Sequence, residues 1–151
     1  MKQTSPAQPT PRQVDDPGRI SVFLAITFTG LLMVVGVIVD AAGQLRTLLR
    51  AENIAAEAAR AAGQAVDHAQ VASGGPVTVD PVAASHAASS YVAEAAAAVG
   101  QPTAPTHVSV SPDGTQIQIT VTLTYRTQVL WLIGMTERHV TASSAATLVS
   151  D

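Results

Sequence analysis

The sequence predicts an α+β protein: a long N-terminal helix that crosses a membrane and continues as a stem, a second Ala-rich helix, and a three-stranded antiparallel sheet. Three observations carry this. Residues 20–39 contain no charged side chain, the apolar period over the next stretch is helical, and after residue 105 the period drops to two. Composition agrees, because only 13% of the 151 residues are charged against about 25% in an ordinary soluble domain. Mean hydropathy is positive, at +0.28.

Residues 1–18 combine prolines, the adjacent acids Asp15 and Asp16, and polar residues without periodicity, so they read as a disordered cytoplasmic leader. Residues 19–40 follow as the transmembrane helix. At 1.5 Å rise per residue, about 20 uncharged positions span roughly 30 Å, the thickness of bilayer hydrocarbon. Arg19 and Asp40 bracket the run and keep charge outside it. A cleavable signal peptide would have a shorter apolar region and a small-x-small site, whereas Val39-Asp40-Ala41 is a poor one. A buried helix of a soluble core is the remaining alternative. Lys2, Arg12 and Arg19 precede the run and Arg46 and Arg50 follow it, so charge alone does not orient it. The short leader is easier to leave inside than the polar remainder, which places the N-terminus inside and residues 41–151 outside the cytoplasm, helical over 41–100 and a sheet over 106–150.

Beyond Asp40, polar residues recur at Arg46, Arg50, Asn53, Glu57, Arg60, Gln64 and Asp67, in alternating steps of four and three. Leu45, Leu48, Leu49, Ala55, Ala56, Ala59, Ala62 and Val66 form the opposite face of this amphipathic stem. Glu57 and Arg60 are spaced to pair. Glu52 falls on the apolar face, either as a partner contact or as a snorkelling carboxylate. Gly74, Gly75 and Pro76 interrupt the helix. Asp80 is then an N-cap with Pro81 at the first helical position, and Gly100 ends the Ala-rich helix.

Val108 and Val110 lead into the turn Ser111-Pro112-Asp113-Gly114. Then Ile117, Ile119, Val121, Leu123 and Tyr125 alternate with Gln and Thr residues, and Val140, Ala142, Ser144, Ala146 and Leu148 alternate again. The expected sheet has one buried face. Residues 129–135, with Leu130, Trp131, Leu132 and Ile133 at their centre, are the densest apolar cluster outside the span. They are read either as a partner or membrane-surface contact anchored by Trp131, or as a loop folded back to plug a small core; the plug is the plainer of the two.

Thr29, Gly36 and Gly43 lie seven apart on one helix face, which permits close helix packing, although glycine is also common in membrane helices. The sequence contains no cysteine, hence no thiolate nucleophile and no Cys-containing zinc site. His68, His86, His107 and His139 have no ligand spacing, and there is no phosphate-binding Gly loop or nucleophile elbow. Scattered basic residues form no nucleic-acid patch. No enzyme activity, cofactor, metal or small-molecule substrate is expected.

The layout resembles type IV pilin-like proteins, and more narrowly the TadE/TadG-like family of the Tad (Flp) pilus system. The resemblance rests on Gly18-Arg19-Ile20-Ser21-Val22-Phe23 before and into the apolar run, on Val37-Ile38-Val39-Asp40-Ala41-Ala42-Gly43 at its end, and on the Ala-rich, Arg-containing segment 49–62. It covers about the first third of the chain, with the sheet matching as architecture. It implies a protein of the cytoplasmic membrane whose partners are the lipid bilayer and other pilin-like or assembly proteins. It also implies leader processing at Gly18 and Arg19. Such substrates carry Glu at the fifth position after the cleaved Gly, where this chain has Phe23. That departure fits the TadG-like branch, which stays anchored and does not need the carboxylate.

Overall fold

The computed structural model describes residues 17–101 and 103–148. The chain forms two compact units, Met1–Val35 and Gly36–Asp151. Residues 1–16 of the expected leader lie outside the described residues, and its last two, Pro17 and Gly18, begin the first helix. Helix α1 runs Pro17–Gly63, 47 residues without a break. A proline suits its first position because the first amides of a helix have no intrahelical acceptor.

In the first unit every large apolar side chain of α1 is exposed, with Ile20 at 71% and Phe23 at 70%. The helix is long and apolar enough to cross a membrane and lies near the N-terminus.

In the second unit α1 turns from apolar on all sides to one-sided. Its buried positions are Gly36, Asp40, Thr47, Ala51, Ile54, Ala55, Ala58, Ala59 and Ala62. Ala55, Ala59 and Ala62 of the expected face are buried, but at its start Leu45 and Leu49 are exposed, and so is Glu52. The polar stripe from Arg46 to Arg60 is exposed as expected, and Arg60 Nη1 meets Glu57 Oε1 at 2.9 Å.

The helix ends at Gly63, before Gln64 and Asp67, which continued the polar spacing only by coincidence. Asp67 instead caps the short helix α2 (His68–Ala72), accepting from the Ala69 and Gln70 amides. Val66 and Val79 bridge across the connection.

Helix α3 runs Pro81–Ala98. Asp80 Oδ1 accepts from Val82 N at 2.9 Å and Ala83 N at 3.2 Å, and Gly100 follows the helix at φ +77°. Removal of the cap by Asp80→Ala is expected to cost about 1 kcal/mol, read as a lower midpoint in urea with an unchanged slope. Ala84, Ala88, Val92 and Ala96 form its buried face at i, i+4 spacing.

Strands β1 (Thr106–Val110), β2 (Gln116–Arg126) and β3 (Glu137–Thr147) form one antiparallel sheet in sequence order. Ile117, Ile119, Val121 and Leu123 are fully buried and Tyr125 nearly so, while the intervening positions meet solvent or its edge. The inner face of the sheet joins the buried positions of α1 and α3 in one core.

In the β1–β2 turn, hydrogen bonds from Ser111 and then Thr115 hold the Asp113 carboxyl at about 2. Because the folded value is depressed, this contribution is complete above the ordinary carboxylate range and is lost as pH falls through about 2. A carbon-detected NMR titration of the Asp113 side chain is expected to show no transition between pH 7 and pH 4.

Candidate functional site

The site begins with a single acid. Asp40 is the first charged residue after the apolar run, and only 2% of its surface is exposed. Burial of a carboxylate is tolerated only when its oxygens are well occupied. Here Tyr125 Oη donates to Oδ1 at 2.9 Å and Gln128 N to the same oxygen at 2.6 Å. Val129 N and Leu130 N donate to Oδ2 at 3.0 and 2.7 Å. One side chain of α1 therefore holds the end of β2 and the start of the following loop, 85 to 90 residues away in sequence. Burial, and next the adjacent carboxylate, push the Tyr125 phenol upward, so it stays a donor through the neutral range.

Small residues on the same face allow this approach. Gly36, Asp40 and Gly43 are spaced four and three apart, one side of a helix. A β-carbon on Gly43 would fall 2.6 Å from ring carbons of Tyr125, and one on Gly36 3.0 Å from Val129 Cβ. Both glycines are thus occupied by the chain's own sheet domain. Thr29, third in the seven-residue series, bonds the Ala25 carbonyl of its own helix at 2.8 Å. Gly43→Leu is accordingly expected to destabilise the domain itself by about 1–3 kcal/mol, the usual cost of forcing extra methylenes into a filled contact, and thermal melting of the purified protein reads it.

The loop carried by Asp40 is well ordered by its own hydrogen bonds. Leu130–Ile133 make a single 3-10 turn closed by Gly134 at φ 87°. Thr127 N bonds Thr136 O at 3.1 Å, Thr127 Oγ1 bonds the Met135 carbonyl, and Met135 N bonds Leu130 O at 3.1 Å. Its apolar side chains do not plug the core. Trp131 is 56% exposed, Leu132 67%, Ile133 53% and Met135 50%, while Leu130 is half-buried. The layer is already filled by alanines of α1 and α3 against the sheet, and Asp40 turns the loop away from it.

Beside the clamp lies an open, polar cleft of about 650 Å³, lined in part by Arg46, Arg50, Gln101, Tyr125, Arg126 and Glu137. Gln101 closes one end by pairing with the Thr124 backbone, donating to its carbonyl at 2.9 Å and accepting from its amide at 2.6 Å. Arg126 Nε lies 3.4 Å from Glu137 Oε1. Among the described residues, no side-chain hydrogen bond or ion pair engages the guanidinium groups of Arg46 or Arg50.

Of the residues singled out from sequence, the structure gathers Gly36, Gly43 and Leu130 at this junction, with Trp131, Leu132 and Ile133 projecting from it. Gly18, Arg19 and Phe23 lie in the first turns of α1, and Glu52 stands exposed on the stem. Sequence reasoning treated Asp40 and Tyr125 separately, as a bracket and as a core residue. The readable signal was the Gly-Asp-Gly face of one helix.

The architecture defines a small α+β domain carried on a helix long and apolar enough to cross a membrane. Compared with family models, with curated proteins and with solved structures, the chain matches none.

Proposed function

We propose that this chain is a non-enzymatic, single-pass membrane protein that acts in pilus assembly, as a minor pilin-like or anchoring component of a Tad/Flp-type system. The observation that carries the reading is the continuity of α1. An apolar half exposed on all sides and a half built into an α+β core are one uninterrupted helix of 47 residues. A pilin-like layout requires such a helix, because the same element must hold the bilayer and present the domain. The N-terminus is inside and residues 41–151 are outside.

With Gly36 and Gly43 filled internally, lateral partner contacts fall to the stem face that the core leaves open, Leu45, Leu49 and Glu52. The chain has no cysteine, so single substitutions give clean cross-linking probes. In native membranes, Leu45→Cys and Leu49→Cys are expected to cross-link to another pilin-like or assembly protein, identified by mass spectrometry. Cross-links confined to unrelated proteins, or none at either position, contradict the reading. The intact mass of the membrane-extracted protein then separates two forms: a chain starting at Arg19 has been processed despite Phe23, whereas one starting at Met1 or Lys2 is permanently anchored.

A second reading, a membrane-tethered envelope binding module, draws on the exposed Trp131 loop. It requires that Trp131→Ala abolish partner capture while changes at Leu45 and Leu49 leave it intact.

A further inference from the structure

We propose that residues 130–135 form a second membrane contact, seated in the lipid interface beside the point where α1 leaves the bilayer. The inference rests on the proposed membrane anchor but not on pilus assembly. It starts from depth. Asp40 holds the amides of Gln128, Val129 and Leu130, and Val129 packs against Gly36. The loop is therefore fixed beside residues 36–40, about 6 Å of helix, which form the last turn of the uncharged run. Wherever that turn meets the boundary between acyl chains and headgroups, the loop meets it too.

The chemistry of the loop suits that depth. Trp131, Leu132, Ile133 and Met135 each expose half or more of their surface, and Val37, Ile38 and Val39 on the adjoining turn are exposed at 49%, 63% and 43%. Exposed apolar side chains thus lie both on the loop and on the helix turn that holds it. Tryptophan combines an apolar body with an N–H donor and is favoured at this boundary. Farther along α1, Arg46 begins about 10 Å past Val39, and with Arg50 and Arg126 it lines the polar cleft. Apolar loop first and guanidinium groups beyond it is the order of acyl chains and phosphates in a lipid leaflet, and the arginines complement the phosphate charge.

The lone tryptophan makes this directly measurable. Full-length protein is reconstituted into vesicles of phosphatidylcholine and phosphatidylglycerol, with and without bromine on the acyl chains near the carbonyl. After an alkaline wash and flotation, Trp131 emission is followed with brominated lipid and with aqueous acrylamide. Lipid-borne bromine is expected to quench more strongly than acrylamide, because an interfacial indole faces acyl chains rather than water. The double exchange Leu132→Asp with Ile133→Asp, at two exposed positions, is expected to reverse that order while leaving circular dichroism unchanged. Quenching of the native protein by acrylamide alone overturns the proposal and leaves the anchor standing. Protection from both quenchers also overturns it, since protein then covers the loop. Failure to float with the vesicles overturns the loop contact and the anchor together.

Discussion

Asp40→Ala is expected to release the 127–136 loop and the end of β2 from α1 while leaving the rest of the sheet paired. The substitution removes an acceptor that serves Tyr125 Oη and three successive backbone amides. Buried donors left without a partner carry their full desolvation penalty, which exceeds the net worth of the bonds themselves. Asp40→Asn retains the shape but turns one acceptor into a donor. On either oxygen the new NH2 group faces an amide N–H, so it is expected to fail as well. Hydrogen exchange at Gln128, Val129 and Leu130 is predicted to accelerate by roughly a hundredfold or more as local opening approaches zero cost. Amides of Ile119 and Val121 in the same preparation are expected to keep their protection. Unchanged exchange at all three loop amides would mean that Asp40 does not hold the loop.

Leu123→Ala is expected to cost about 2–5 kcal/mol, the range for removing a fully buried leucine. The position is fully closed to solvent and belongs to a small set of large buried side chains, with Ile117, Ile119, Val92 and Val121. The helices contribute mostly alanine, which buries little area per residue. The sheet face therefore supplies much of the apolar burial, and Leu123, the one leucine in the three strands, carries an unusual share. An Ala-rich surface also cannot collapse into the resulting hole, because its side chains have no rotamers with which to follow. A chemical denaturation midpoint measures the loss. A cost below about 1 kcal/mol, the level of a conservative swap, would mean the core is looser than the structure has it.

Much of the fold was legible because local chemistry and period agreed. Asp80, Pro81 and Gly100 bound α3 by capping rules, and the alternation from Ile117 to Tyr125 identified β2 and its buried face. The stem was harder. Leu45 and Leu49 are large apolar residues that the core leaves exposed, and weighting by hydrophobicity turned the helix toward them. The actual buried face is a stripe of small residues, because close packing of a helix on a sheet selects size before hydrophobicity. Gln64 and Asp67 continued the helical spacing without the helix, since Asp67 caps α2 and Val66 pairs with Val79.

The junction was only partly legible. The seven-residue spacing of Gly36 and Gly43 marked a face of close approach, but periodicity says nothing of what approaches. Its occupant proved to be this chain's own Val129 and Tyr125, and the acid between the glycines supplies the reason. Contacts made by backbone amides at positions 128–130 leave no side-chain signature, so three of the four donors to Asp40 were invisible to any reading of residue types.

The most direct test of a membrane-anchored domain is a comparison of four single-cysteine variants in intact spheroplasts, labelled with a membrane-impermeant maleimide. Phe23, Leu32, Asn53 and Glu57 are all exposed on α1 in the structure. The protein itself shields none of them, and only a membrane or a partner can distinguish them. Asn53→Cys and Glu57→Cys are predicted to react in intact spheroplasts, whereas Phe23→Cys and Leu32→Cys react only after unfolding in detergent. Equal reactivity at all four positions would contradict the account, because it would place the apolar half of α1 in water.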